Sequence, residues 1–455
     1  MAVEPTQRPA LFDSASYHAF RFVARDIDER GHITLRYALD DDIDFVEEFD
    51  LPSGTHVSSD DRERVDGLLS LLHWVAGVSY FKTAVPNDVR CESGTPPPAT
   101  AALLEALYSE GLGELAFVNG LRSLPRPSFP VGVAAPPVAA ADELSRVLVP
   151  VGGGKDSIVA LETVRRSACE LALFSVGDAP AITRTAAVAG LPRLIAHRRL
   201  DPGLAALNRT GALNGHVPIT AIVACVALLT AALHRFDAVA MANERSASSG
   251  NVTWDGIEVN HQFSKSLRAE HLLRAAVAEL GPGLDIFSVL RPASELAIAR
   301  AFARLVAYHD AFTSCNAIFR LDPALRTASW CCDCPKCRFV FLVLAPFSDP
   351  AHLRDVFGCD MLDDERQFGG FALLTATGGN KPFECVGEEE ESLAAMRMLA
   401  TDPRWREHAV VRRLGAEVLP TFAASAGSPA ATLALSGDHA VPAALLPDVR
   451  AVLGA

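Results

Sequence analysis

Residues Val151 to Ser157 read Val-Gly-Gly-Gly-Lys-Asp-Ser, three glycines directly before an ammonium, a carboxylate and a hydroxyl. The apolar run Leu148-Val149-Pro150 precedes them and a segment of helical spacing follows, which places them at a strand-to-helix junction. Glycines there let backbone amides approach phosphate oxygens, and the start of the helix adds partial positive charge. Gly152, Gly153 and Gly154 are therefore candidate phosphate ligands through their amides, Lys155 through its point charge and Ser157 through its hydroxyl. Asp156 would repel phosphate directly, so it is expected to hold Mg²⁺ against a pyrophosphate. Lysine occurs elsewhere only at 82, 265, 336 and 381, which sets Lys155 apart in a chain whose basic residues are mostly Arg. The spacing fits neither the Walker loop nor the dinucleotide fingerprint GxGxxG.

A second group is sulfur-based. Five of the ten cysteines fall between Cys315 and Cys337, and Cys332-Asp333-Cys334-Pro335-Lys336-Cys337 gives C-x-C-x-x-C. Cys315, Cys332, Cys334 and Cys337 form the candidate set for a closed tetrahedral Zn²⁺ site, with Cys331 as the open alternative to Cys332. Redox or thioester chemistry and plain buried thiols are the other readings. The cysteines do not resemble a secreted disulfide framework, and a reducing compartment fits them better.

The chain that must position these groups has 455 residues, 49% of them hydrophobic, enough for two or three domains. Its start has no basic and apolar export pattern, and the longest apolar run, Ile222 to Leu233, is too short to span a bilayer. A cytoplasmic protein with no membrane partner is expected. A net charge of -14, spread along the chain, argues against a nucleic-acid partner while leaving room for a local anion pocket.

Residues 17 to 51 alternate as short strands and turns, 62 to 82 and 101 to 111 have helical spacing, and Pro125 to Pro137 reads as a linker. From Arg146 the texture becomes βαβ: LVPV, ELALFSV with Ser175 near its end, PRLIAH, the Ala-rich helix Pro218 to His234, AVAMAN, and LDIFSVL before a helix starting at Ser294-Glu295. The expected fold is α/β: an N-terminal α+β domain over 1–140, a parallel-sheet core over 141–345 with its ligand at the carboxyl ends of the strands, and a helix-rich extension over 346–455. Arg193, His197, Arg198 and Arg199 read as a solvated helix end, with a nucleotide-sugar diphosphate as the alternative role, and Glu388 to Glu391 as a solvated helix start.

Gly152 to Ser157 resembles the SGGxDS loop of the PP-loop ATP pyrophosphatases, with Gly152 standing where that family usually has Ser. Taken with Asn214-Gly215-His216-Val217-Pro218, ANERSAS, HQFSKS, SCNAIFR, CCDCPKC and KPFECVGEEEE, the chain resembles the UDP-N-acetylmuramoyl-L-alanyl-L-glutamate epimerase family from about 150 to 391. The resemblance implies a PP-loop core that cleaves ATP to AMP and pyrophosphate, with Gly152 to Ser157 and Ser175 holding the nucleotide. It also implies inversion of the terminal L-Glu of a peptidoglycan precursor.

Such an inversion has a physical reason to need ATP. Deprotonating Cα beside an ionised carboxylate would set two negative charges side by side, and adenylating the carboxylate removes the first. The N-acylated substrate could then react as the adenylate itself or cyclise to an oxazolone. Lys155, Asp156, His216, Arg245, Lys265 and Cys385 are the catalytic candidates, with Arg245 as a bidentate clamp on a substrate carboxylate. Glu244 and His261 are further candidates for proton transfer. The rival readings are a zinc-bearing PP-loop synthase, a tRNA-modifying enzyme and a nucleotide sensor without turnover. Oligomeric state is not assigned.

Overall fold

The computed structural model describes residues 11–454 apart from 135, 141–142, 255, 282, 320–323 and 325. Most of the stretch read for an export pattern lies outside the described residues, as does Arg320 of SCNAIFR. Strands β1 (Ala19–Ile27), β2 (His32–Leu39) and β3 (Ile43–Asp50) form an antiparallel meander, followed by α1 (Ser59–Ala76), β4 (Asp88–Cys91) and α2 (Pro98–Ser109). A Ser58–Asp61 capping box fixes the start of α1. The alternating part follows in order: β5 (Arg146–Pro150), α3 (Lys155–Val164), β6 (Glu170–Val176), α4 (Pro180–Ala189), β7 (Arg193–Arg199), α5 (Ile219–Leu233) and β8 (Ala238–Met241). A small hairpin, β9 (Val252–Trp254) and β10 (Ile257–Val259), precedes α6 (Leu267–Leu280), β11 (Asp285–Ser288) and α7 (Glu295–Ala303). Helices α8 (Pro335–Leu344) and α9 (Glu389–Thr401) lead the carboxyl-terminal part.

One nine-stranded sheet runs β11-β8-β5-β6-β7-β3-β2-β1-β4. Its first five strands are parallel, as the βαβ alternation predicts. The amino-terminal meander is joined to them edge to edge, because β3 pairs antiparallel with β7 through Glu48↔Arg199, Phe49↔Arg198 and Asp50↔His197. The basic patch at 193–199 is thus a strand and not a helix end. Arg198 is paired with buried Glu47 and donates to Ser79 at 2.8 Å, while Arg199 is paired with Glu48 and Asp50. These guanidiniums close the seam between the two halves of the sheet.

Side chains alternate across the sheet with period two. Val147, Val149, Leu171, Leu173, Ala238 and Ala240 face a core that includes α3, α7, α8 and α9. Leu148, Ala172, Phe174, Val239 and Met241 face the other core, with α1, α2, α5 and α6. Amino-terminal and carboxyl-terminal segments therefore each cover one face of the same sheet, and the sequence boundaries near 140 and 345 run through shared cores. Beyond its first turn helix α5 is buried in the second core, which explains its nearly unbroken apolar sequence. Among the described residues, no helix is long and apolar enough to cross a membrane.

Candidate active site

A cleft of about 370 Å³ opens at the carboxyl ends of β5, β6 and β8, where an open parallel sheet places its ligands. Gly152, Gly154, Asp156, Ser157 and Ser175 line it, together with Lys265, Lys336 and Cys385 from other parts of the chain. The glycines have distinct local roles. Gly153 adopts φ +81°, and a Cβ there would come within 2.8 Å of Ala181 on α4. At Gly154 a Cβ would lie 2.6 Å from Ser314 Oγ, whereas at Gly152 it would meet nothing within 4 Å. The loop is held from behind by Thr313, whose amide donates to Gly153 O at 2.9 Å, and by Ser157 Oγ, which donates to Gly154 O at 3.0 Å.

Lys155 departs from the expectation of a phosphate ligand. Its side chain is 1% exposed, does not line the cleft, and pairs with Asp156 and with Glu295 at the start of α7. The apolar packing of α3 against α7 turns the first residue of α3 inward. Burial pulls its pKa down, but the two carboxylates outweigh that and hold the ammonium charged. Losing one partner of such a buried pair costs about 3–5 kcal/mol, so Lys155 anchors the loop and aims Asp156. Burial lifts the pKa of Asp156, and Lys155, Lys336 and Lys265 reverse the sign, leaving it ionised and a fit ligand for Mg²⁺. Glu295 is pushed the other way by burial and by Asp156.

Arg245 is the second correction. Its guanidinium donates to Ala434 O at 3.0 Å and Thr432 O at 3.2 Å, fastening the carboxyl-terminal extension, and it does not line the cleft. Neighbouring Glu244 does line it. Arg291, unmarked in the sequence reading, is 1% exposed and braces this end: it pairs with Glu270 and donates to Glu244 O and Lys265 O, both at 2.6 Å.

Opposite the glycine loop stands a charged cluster assembled from distant segments. Lys265 Nζ lies 3.3 Å from Cys385 Sγ, Lys336 donates to Cys385 O, and the charge of His261 also acts on the thiol. Burial would raise the Cys385 thiol, but Lys265, His261 and Lys336 bring it down to about 6. His261 Nδ1 meets Glu114 from the short helix Gly113–Val118. Burial lowers the His261 pKa, yet Cys385 and Glu114 carry it up to about 9. His216 packs tilted against His261 with centroids 4.2 Å apart and is held neutral, at about 3, chiefly by burial. It stands behind the cluster and does not line the cleft.

The sulfur cluster also differs from expectation. Cys315, Cys331, Cys334 and Cys337 bring their sulfurs within 4.8 Å of one another, whereas Cys332 is disulfide-bonded to Cys359. A left-handed turn at Cys332, φ +56°, sends its side chain away from its neighbour's. The readable signal was Cys331-x-x-Cys334-x-x-Cys337, a period-three run starting one residue earlier. The Cys331 and Cys337 sulfurs are 3.7 Å apart, which fits the edge of a tetrahedron with Zn–S bonds of about 2.3 Å. The acidic run at 388–391 does start α9, but Glu391 is buried and not solvated: it accepts from the amides of Glu295 and Glu388, both at 2.7 Å.

Family comparison covers most of the chain. Residues 11–289 match the MurL N-terminal domain and 311–428 the MurL C-terminal domain. A UDP-N-acetyl-alpha-D-muramoyl-L-alanyl-L-glutamate epimerase from Salinispora tropica is 46% identical over 404 residues, 87% of this chain and 88% of its own. Relatives of the same name from a Micromonospora species and from Xanthomonas oryzae pv. oryzae are 45% and 40% identical, covering 93% and 97% of this chain and 96% and 99% of theirs.

Proposed function

Because the chain belongs to the MurL family, we propose that it spends ATP to invert the terminal L-Glu of UDP-N-acetylmuramoyl-L-alanyl-L-glutamate through an adenylate of the α-carboxylate. The family makes it an epimerase of peptidoglycan precursor synthesis, an isomerase acting on a UDP-muramoyl dipeptide. The route through ATP rests on one observation: the glycine loop and the Lys265–Cys385 cluster line a single cleft. Phosphate chemistry at one end and proton chemistry at the other can then act on the same carboxyl group.

In this reading Gly152, Gly154 and Ser157 receive the phosphates, and Ser175 lines the nucleotide end. Asp156 would hold Mg²⁺, which would supply charge neutralisation for the departing pyrophosphate. Lys265 and Lys336 offset the charge that builds on the activated carbonyl when Cα loses its proton. The cluster of titratable groups beside them supplies proton transfer.

Zn²⁺ suits Cys315, Cys331, Cys334 and Cys337 as a structural ion. That set would tie the loop carrying Ser314, which abuts Gly154, to the start of α8, which carries Lys336. Purified protein should carry about one zinc per chain; Cys331→Ser should lose it and Cys332→Ser should keep it, as read by elemental analysis. Zinc retained in the first variant and lost from the second would reverse the ligand assignment.

The reading is tested by incubating the protein with the UDP-muramoyl dipeptide, Mg²⁺ and D₂O, with and without ATP. Deuterium at the glutamyl Cα and D-Glu should both appear only when AMP forms. Exchange that proceeds without ATP would refute adenylation.

A further inference from the structure

Four chain segments bring a carboxylate, an imidazole and a thiol into line. Glu114 comes from the amino-terminal part, His261 and Lys265 from the turn before α6, Lys336 from α8, and Cys385 from the loop before α9. The carboxylate meets His261 Nδ1, the charge of the ring acts on the Cys385 thiol, and the sulfur faces the cleft that holds the glycine loop. Lys265 Nζ stands 3.3 Å from that sulfur. A carboxylate that orients an imidazole beside a thiol is the arrangement that activates a nucleophile.

We infer that Cys385 is a nucleophile that takes the activated glutamyl carboxyl group from AMP as a thioester, with His261 and Glu114 positioning its thiolate. The inference rests on the adenylation reading, which supplies the electrophile. The Cys385 thiolate adds to the adenylate carbonyl, the C–O bond to AMP breaks, and AMP leaves with that electron pair. The α-proton is removed and returned on the thioester, whose carbonyl accepts the carbanion's charge. Water then adds to the carbonyl, the C–S bond breaks, the thiolate is restored, and the inverted carboxylate departs with release of two protons. No redox step is involved, and the balance remains one ATP and one water consumed for one AMP and one pyrophosphate.

Two observations favour a nucleophile over a proton-abstracting base. The environment of Cys385 is cationic, with Lys265 and His261 facing it from the turn before α6, Lys336 from α8, and Glu114 and Glu384 as the acids nearby. Its pKa, brought to about 6, keeps it a thiolate at neutral pH while making it a weak base toward a C–H bond. A thioester also preserves carbonyl activation after AMP has left.

The test is single-turnover acid quench of the full chain with UDP-muramoyl dipeptide, ATP and Mg²⁺, followed by intact-protein and peptide mass analysis. Wild type should show an adduct of the dipeptide substrate less one water on the Cys385 peptide, cleaved by neutral hydroxylamine. Cys385→Ser should accumulate a more stable oxygen ester on the same peptide. Cys385→Ala should lose inversion by at least about 10³-fold while still exchanging pyrophosphate into ATP in the presence of the dipeptide, which also shows that it folds. Inversion retained by Cys385→Ala, or stoichiometric AMP with no adduct on wild type or Cys385→Ser, would overturn the thioester. Wild type that makes neither AMP nor D-Glu would instead refute the adenylation reading beneath it.

Discussion

The two ends of the cleft are built by opposite means. At the end proposed for phosphate, six consecutive residues, Gly152 to Ser157, offer amides, a hydroxyl and a carboxylate, and neighbouring elements only limit their space. At the reaction end, Glu114, His261, Lys265, Lys336 and Cys385 come from segments up to 271 positions apart, and none has a role without the others. Phosphate binding needs backbone geometry, which a short sequence can encode. Tuning a thiol needs several charges at fixed distances, which only the tertiary fold provides.

The contrast is broken most severely by removing charge from the local end. Asp156→Asn should lower AMP formation by about 10²–10³-fold, read as pyrophosphate release, and it should leave Lys155 paired with Glu295 so that the fold persists. Unchanged pyrophosphate release would remove Asp156 from the phosphate site.

At the assembled end the effect is a shift in pH dependence. With the Cys385 thiol at about 6, kcat/KM for inversion should fall as pH drops through that value, because protonation removes the thiolate. Lys265→Met withdraws a cation that favours the thiolate, so the acidic limb should move to higher pH by about 1 unit or more. A limb that stays in place would detach Lys265 from the titrating group.

A smaller effect separates sterics from charge. Gly154→Ala should weaken ATP binding by about tenfold through its collision with Ser314 Oγ, and Ser314→Ala should restore most of it in a double-mutant cycle. Additive losses would mean that the two positions do not meet. Gly152→Ser should change ATP affinity least, by about twofold at most, since a side chain there enters open space and offers one more phosphate donor.

The same contrast explains what the sequence disclosed. Four of the five parallel strands were legible because each is a short, mostly apolar run, whereas the basic residues of β7 read as a helix end; the glycine loop was legible because its residue types are contiguous. The meander's strands were legible too, but not its continuation into the main sheet, which depends on β3 meeting β7 about 150 residues later. Lys155 and Arg245 were misplaced for one reason: a lone cation near a strand end reads as a ligand until its partners, Glu295 and the Thr432 and Ala434 carbonyls, are known. Glu114 gave no local signal, since an acid in the first turn of a short helix is ordinary until His261 lies against it.

Adenylation would carry an oxygen from the substrate's carboxylate to phosphorus, and isotope labelling reads this directly. UDP-muramoyl dipeptide carrying ¹⁸O in both oxygens of the glutamyl α-carboxylate should yield AMP with one ¹⁸O per molecule, and D-Glu with one ¹⁸O and one oxygen from water. AMP free of ¹⁸O, formed while Glu is inverted, would contradict adenylation of the α-carboxylate and with it the purpose assigned to the two ends of the cleft.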